Sequence, residues 1–417
     1  MTKRRICVVL TDRANYGRMW PLMKAVQEHP ALELYTICSG TMLLERFGQA
    51  ENIVAADGFR IDGRVYMELE GSVPATMAKS VGFGTVEFTT ELQRLKPDML
   101  LVIGDRYEAL AAVIAAAYQN ISIAHVQGGE ISGSIDESAR HAMSKFAHFH
   151  FPATARSAEY LVRMGEDPDM VFNFGCPAGD YVISLDTELP DDVFSAGIGA
   201  RVDPNKPFIL VLFHPVTTKF GQEKSEVEDL LEALEIINHP TVWLWPNIDA
   251  GSAQISQILR RYRENKGDRW LRLEKNFEPE TYQKILKKCV CAVGNSSSFV
   301  RDSTFSGTPV VLVGDRQIGR ESGENLINVV PESSRIISAV KQQLKHGRYK
   351  PSTMYGNGTA SKRIADKLAT VGLYSQKLLH YFKREANDAA PYVNPRESEL
   401  QPGSPQTPAE IGSGGNL

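Results

Sequence analysis

The stretch His125-Val-Gln-Gly-Gly-Glu130 holds the residue types and spacing best suited to chemistry in this chain. An imidazole, an amide and a carboxylate stand close together, and Asp136, Arg140 and His141 follow soon after. Carboxylates and imidazoles held side by side can take up and return protons. Crowding like charges pushes at least one carboxyl pKa up towards neutrality. The paired glycines let a backbone approach a ligand closely. Composition alone leaves a structural ion-pair network as an equal alternative. The elements that position these residues separate the two readings.

Apolar runs supply those elements. The run 121–124 reads as a buried strand that opens into the Gly-Gly turn. Run 98–104 delivers Asp105 and Arg106, and the Ala-rich stretch 109–118 after it reads as a helix. Run 208–213 ends in His214, and 242–245 leads to Asn247 and Asp249. Run 290–293 ends in Gly294-Asn-Ser-Ser297, and 309–313 leads to Arg316. In open α/β sheets, ligands bind outside the carboxyl ends of the strands. All these polar strand ends therefore describe one composite site, with His125, Glu130 and Asp136 expected to face a cleft.

These motifs carry a resemblance. Arg13-Ala14, Gly104-Asp-Arg106, His125-x-x-Gly-Gly-Glu130 and His214-Pro-Val-Thr-Thr218 occur in this order. They are followed by Gly294-Asn-Ser-Ser297 and Arg316-Gln-Ile-Gly-Arg-Glu-Ser-Gly-Glu-Asn325. Together they resemble the hydrolysing UDP-N-acetylglucosamine 2-epimerases, from the first strand to about Lys367. The resemblance implies an α/β fold of two Rossmann-like domains facing across a cleft, the B-type glycosyltransferase architecture. It implies a UDP-sugar substrate, elimination of UDP through a 2-acetamidoglucal, and hydration to N-acetylmannosamine for sialic acid biosynthesis. Alternatives are a UDP-diacetamido-trideoxy sugar on the legionaminic acid pathway, or glycosyl transfer by the same fold. A homodimer or homotetramer is also implied.

The resemblance assigns roles by motif. Asp105, Glu130 and Asp136 become the acid-base carboxylates, with Glu130 first in line. His214 becomes a donor to the β-phosphate or a general acid. Backbone N–H groups at the turn 294–297, with the Ser296 and Ser297 hydroxyls, would cradle phosphate where a helix opens. Arg13, Arg106 and Arg316 would meet the diphosphate with fork-shaped, charge-assisted contacts. Asp302 would accept from ribose hydroxyls, and Gln127 would hold the sugar N-acetyl or hydroxyl groups. Asn15, His125, Asn247 and Phe277 complete the expected substrate-binding set. This chain departs from many members of that family at Gln127 (commonly Glu), Ile103 (commonly His), Asn15 (commonly acidic) and Asp302 (often Glu). The nucleotide end of the site is thus retained and the sugar end altered.

Length and charge fit this reading. The chain has 417 residues, enough for two domains with ample cores. Its formal net charge is -4, which offers no general field for nucleic acid or an anionic membrane. The five cysteines are odd in number and scattered, and read as reduced core residues of a cytoplasmic protein. Cys289 and Cys291 are spaced to share one strand face. No Cys/His/Asp grouping has metal-site spacing, and no Gly-x-Gly-x-x-Gly follows the first run, so neither metal nor dinucleotide cofactor is expected. Lys3-Arg-Arg5 ahead of a short apolar run mimics a signal peptide, but Thr11-Asp-Arg13 ends it at once.

The alternation of runs and helical stretches places an N-terminal Rossmann-like domain at 1–176, with strands at 6–10, 34–38, 99–104, 121–126 and 171–176. The first helix is expected at 20–26, after a loop 13–17. Proline, glycine and aspartate mark a link at 177–206. A second, UDP-binding Rossmann-like domain follows at 207–360, and a helix at 361–386 packs back across the domains. The Pro-punctuated segment 387–417 has too few apolar residues to fold and is expected to be a disordered tail.

Overall fold

A computed structural model describes residues 3–266 and 269–380. The first half builds a parallel sheet from β1 (Arg4–Leu10), β2 (Leu32–Ser39), β3 (Gly63–Val65), β4 (Met99–Ile103), β5 (Ser122–Val126) and β6 (Phe149–Phe151), in the order β3-β2-β1-β4-β5-β6. The second half builds another from β7 (Ile198–Gly199), β8 (Ile209–Leu212), β9 (Thr241–Leu244), β10 (Leu271–Glu274), β11 (Cys291–Gly294), β12 (Val310–Val313) and β13 (Leu326–Val329). Its order is β13-β12-β11-β8-β9-β10-β7, with β7 antiparallel to β10 at the edge. Both sheets reverse direction beside their first long strand, at β1/β4 and β8/β11. Such switch points open crevices at the strand ends.

Apolar alternation explains why each sheet is covered on both faces. Ile6, Val8 and Leu10 face one core with Tyr16, Met19 and Leu22 of helix Arg13–Glu28, while Cys7 and Val9 face Phe88, Leu92 and Ala112. In the second sheet Val211, Val293 and Val311 face one core, and Leu210, Ala292 and Val310 the other.

Several expectations need correction. The first helix begins at Arg13, because the Asp12 carboxylate accepts from the Asn15 N–H at 2.6 Å and caps it. Gly17 marks close packing there, not a loop: a Cβ would come within 2.9 Å of Pro279 Cβ in the other half. The run 171–176 makes one isolated bridge, His150 to Val171, and its aromatic side chains pack on one another instead of extending the sheet. Cys289 caps helix Pro279–Lys288, ahead of β11, and joins the core on the face opposite Cys291. All five cysteines are free and buried.

The last helix, Ala360–Thr370, has the Asp180 carboxylate accepting from its first N–H groups and lies in the first half's core. It stops at Thr370, short of the expected residue 386, because Val371 is extended and Gly372 follows. Residues 371–380 form a strap instead. Ser122 of β5 donates to the Tyr374 carbonyl, and Lys377 donates to the Ser144 carbonyl in helix Ile135–Phe146. The expected helix portion 381–386 and the expected tail 387–417 lie outside the described residues. Among the described residues, no helix is long and apolar enough to cross a membrane.

Candidate active site

The tips of β4 and β5 carry the carboxylates. Gly104, at φ 79°, turns the chain after β4 and sets Asp105 half-buried at the tip. Arg140, from helix Ile135–Phe146, is fully buried and grips Asp105 while donating to the Glu130 carbonyl at 2.6 Å and the Ser132 hydroxyl at 3.2 Å. Burial opposes ionisation of Asp105, but Arg140 and Arg320 outweigh it and hold the carboxyl well below its usual range.

Glu130 is buried, with Oε2 at 3.3 Å from Arg301 and 3.4 Å from Arg320. Burial pushes its pKa up, but these guanidiniums push it further down. A carboxylate held ionised by two buried guanidiniums is a poor proton donor. Asp136, at the first turn of its helix, behaves differently. Burial and the charge of Asp105 raise its pKa, offset in part by Arg316 at 3.2 Å. Of the three carboxyls Asp105, Glu130 and Asp136, only Asp136 is raised, first by burial and second by its like-charged neighbour.

At the second switch point, His214 and Asn295 lock β8 to β11. The His214 N–H donates to Asn295 Oδ1 at 2.7 Å, and Asn295 Nδ2 donates to the His214 carbonyl at 2.8 Å. His214 Nδ1 accepts from the Asn247 N–H at 3.2 Å, so Nε2 carries the ring proton. Burial, with Arg316 and Arg106 nearby, lowers its pKa to about 3, leaving a neutral donor. Ser296 caps helix Ser297–Arg301, and Ser297 opens it, half-buried. Arg316 donates Nη1 to the Asn295 carbonyl at 3.4 Å, which places its guanidinium beside this helix start. Its buried Nε has no partner.

The two halves meet through charge. Besides the Glu130 and Asp136 contacts, Arg106 Nη1 lies 2.5 Å from Asp249 Oδ1, and Arg320 lies 3.8 Å from Asp105. The Gly133 N–H donates to the Arg316 carbonyl at 2.9 Å, so the loop after β5 rests directly on the loop after β12.

Several sequence-predicted ligands are otherwise engaged. His125 is fully buried and does not face a cleft: Nε2 donates to the Gly104 carbonyl at 2.8 Å and Nδ1 accepts from Ser144 at 3.0 Å. Burial drops its pKa to about 4. Arg106 is buried with Asp249 and Glu108, occupying the guanidinium that was expected to meet phosphate. Asn15 is buried and donates to the Ile103 carbonyl at 3.3 Å. Gln127, buried at φ 63°, accepts from Arg18 at 3.0 Å and donates to Cys176 Sγ at 3.0 Å. Arg13 donates to the Phe277 carbonyl at 3.0 Å, and the Phe277 ring packs against Phe194. Asn247 stays at the tip of β9, half-buried. Asp302 is buried, accepts from Gln283 at 3.0 Å and keeps Oδ1 unpaired. Burial raises its pKa.

Arg18, Arg301, Arg320 and Asp249 received no role from the sequence. Arg320 and Asp249 sat inside quoted or neighbouring motifs, which was the available signal. Arg18 and Arg301 are helical arginines, and nothing in their local sequence distinguishes them from solvent-facing ones.

Two open sheets, parallel but for the edge strand β7, each with its switch point beside this charged seam, define a protein of the B-type glycosyltransferase architecture. The chain belongs to the UDP-N-acetylglucosamine 2-epimerase family, whose sequence model matches residues 24–369. A Legionella pneumophila relative, a hydrolysing UDP-N,N'-diacetylbacillosamine 2-epimerase, is 33% identical over 375 residues, covering 90% of this chain and 98% of its own. A Neisseria meningitidis UDP-N-acetylglucosamine 2-epimerase is 29% identical over 369 residues, covering 87% of this chain and 94% of its own. The Methanocaldococcus jannaschii UDP-GlcNAc 2-epimerase, solved with UDP-GlcNAc and UDP, superposes with a TM-score of 0.72 at 17% identity, over 87% of this chain and 99% of that one. That likeness establishes the shared fold.

Proposed function

We propose that this chain is a hydrolysing 2-epimerase that converts UDP-N-acetylglucosamine to UDP and N-acetylmannosamine. The observation that carries the reading is the meeting of Asp136 and Arg316 at 3.2 Å. A diphosphate held at Arg316, Ser296 and Ser297 sets the attached sugar against Asp105 and Asp136. A base takes the C2 proton while the C1–O bond breaks and its electron pair leaves with UDP. Water then adds hydroxyl to C1 of the resulting 2-acetamidoglucal, and a proton reaches C2 from the opposite face.

Asp105, held ionised, suits the base or a sugar-binding role. Asp136, with its raised pKa, suits the proton donor. Neutral His214 offers Nε2–H to the departing phosphate. Glu130, the residue favoured from sequence, serves as the charge partner of Arg301 and Arg320. The same reading carries a cytoplasmic homodimer or homotetramer with domains at 1–176 and 207–360 joined by 177–206.

A second substrate, a UDP-linked 2,4-diacetamido-trideoxy sugar, is favoured by the 33% identity to the Legionella pneumophila enzyme. Proton NMR in D2O, with each sugar nucleotide and no acceptor, tests the proposal. UDP release with deuterium at C2 of a C2-inverted free sugar is expected. Failure to release UDP from either substrate, or retention of the C2 proton in the product, overturns it.

A further inference from the structure

Arg316 is the guanidinium best placed for a diphosphate, yet it is occupied. Nη2 lies 3.2 Å from Asp136 Oδ2 and 4.0 Å from Asp249 Oδ2. Asp249 is already committed to Arg106 at 2.5 Å and to Asn247 Nδ2. Asp136 is therefore the partner that a ligand must replace. It can leave, because it is half-buried and keeps a hydrogen bond from Ser134 at 2.9 Å when the guanidinium is withdrawn. The buried, unpartnered Nε of Arg316 shows that the resting pair leaves donor capacity unused. A diphosphate supplies more acceptor oxygens and more charge than one carboxylate, so it wins the guanidinium.

Building on the proposed function, we infer that Asp136 acts as a stand-in for the substrate diphosphate: it holds Arg316 in the resting enzyme and is displaced from it when the nucleotide binds. Displacement does two things. It keeps a buried guanidinium paired in the empty site, where an unpaired charge is costly. It also strips Asp136 of its nearest cation at the moment that a sugar arrives. The groups then facing Asp136 are Asp105 and Arg140 on the first half, Asp249 and Arg316 on the second, and Arg106 between them. Arg140 stays bound to Asp105, Arg106 stays bound to Asp249, and Arg316 is neutralised by phosphate. What remains favours the protonated acid, so the proton donor is armed only once the nucleotide is bound.

Calorimetric titration of the full chain with UDP tests the exchange in a double-mutant cycle. Asp136→Asn is expected to tighten UDP binding roughly three- to tenfold, the worth of a partly screened ion pair, because the competitor is gone. In the Arg316→Ala background the same change is expected to alter affinity less than about twofold, since no guanidinium remains to be released. Wild type is expected to take up more protons on binding UDP near neutral pH than Asp136→Asn does, read from buffers of different ionisation enthalpy. Asp136→Ser repeats the test should the asparagine variant misfold by circular dichroism. Unchanged or weaker binding by both folded variants overturns the exchange. Equal tightening with and without Arg316 also overturns it, leaving plain repulsion. Absence of UDP binding by wild type overturns the nucleotide site together with the exchange. A completed cycle in a protein that turns over neither sugar nucleotide supports the exchange and overturns the proposed reaction alone.

Discussion

Arg106 spans the two halves of the molecule: Nη1 lies 2.5 Å from Asp249 in the loop after β9, while Nε and Nη2 hold Glu108 at 3.0 and 2.8 Å. All three residues are buried. Removing the cation leaves the buried Glu108 and Asp249 carboxyls without the guanidinium that they share. Burial already pushes the Glu108 carboxyl up against the pull of Arg106, and losing that cation pushes it further up. Arg106→Met is expected to cost about 3–5 kcal/mol of stability, and Arg106→Lys to recover only part of it, because an ammonium lacks the fork that serves both acids. Urea unfolding measures both.

Arg316→Ala should weaken UDP binding more than Ser297→Ala. A charge-assisted hydrogen bond is worth about 1.5–3 kcal/mol and a neutral one about 0.5–1.5. Titration calorimetry ranks them, and equal losses would contradict the assignment of the guanidinium to the diphosphate.

Asp136→Asn and Glu130→Gln should fail differently. The first removes the proton donor, so turnover falls by about 10²–10⁴ and the alkaline limb of the pH–rate profile disappears, with the smaller fall in melting temperature of the two because Arg316 keeps the Asn295 carbonyl. The second leaves buried Arg301 and Arg320 without their shared carboxylate, so the melting temperature falls while the residual activity keeps its pH profile. Melting curves and pH–rate profiles on the two variants separate a titrating group from a charge partner.

Gly133→Ala tests the contact between the loops after β5 and β12. A Cβ there would sit 2.1 Å from the Asp315 carbonyl oxygen, a backbone atom that cannot rotate away. The loops must separate, and catalytic misplacement of about 1 Å can cost 10²-fold. Steady-state kinetics should show kcat/KM reduced by about that factor while the far-ultraviolet dichroism stays native.

Acid should unlatch the strap. Buried Glu166 receives His150 at 2.9 Å, Lys145 at 2.7 Å and Lys377 of the strap. Burial opposes ionisation, but these donors lower its pKa to about 2 from the ordinary 4.5. Because the folded value is the lower one, its stabilisation is intact above about pH 4.5 and is lost as pH falls towards about 2, a contribution of about 3 kcal/mol. Glu166→Gln should be less stable at neutral pH and show a shallower acid limb in stability measured against pH.

The polar strand ends were legible because parallel strands buried on both faces read as apolar runs, and their tips stand out against them. His214, Ser296, Ser297 and Arg316 surface in this way. Partnership was not legible. Nothing in the spacing of Arg140 or Arg301 says that their helices turn these side chains inward towards Asp105 and Glu130, because helical arginines usually face water. His125 misled for the opposite reason: a polar residue at a strand end suggests a cleft, yet the β4–β5 pairing and Ser144 consume both ring nitrogens. The first helix was expected only at 20–26, after a loop at 13–17 that ends in Gly17. The Asp12 cap and the need for close approach to Pro279 decide otherwise.

The helix Ala360–Thr370 and the strap after it belong to the core around β1, although the whole second sheet lies between them and the first half in sequence. The first half is thus a discontinuous folding unit. During synthesis the part of helix Arg13–Glu28 that the last helix covers emerges early and waits uncovered until Ile364 and Leu368 leave the ribosome. A chain interrupted anywhere in the second half therefore releases a product with that part bare, a natural target for chaperones and a ready seed for aggregation.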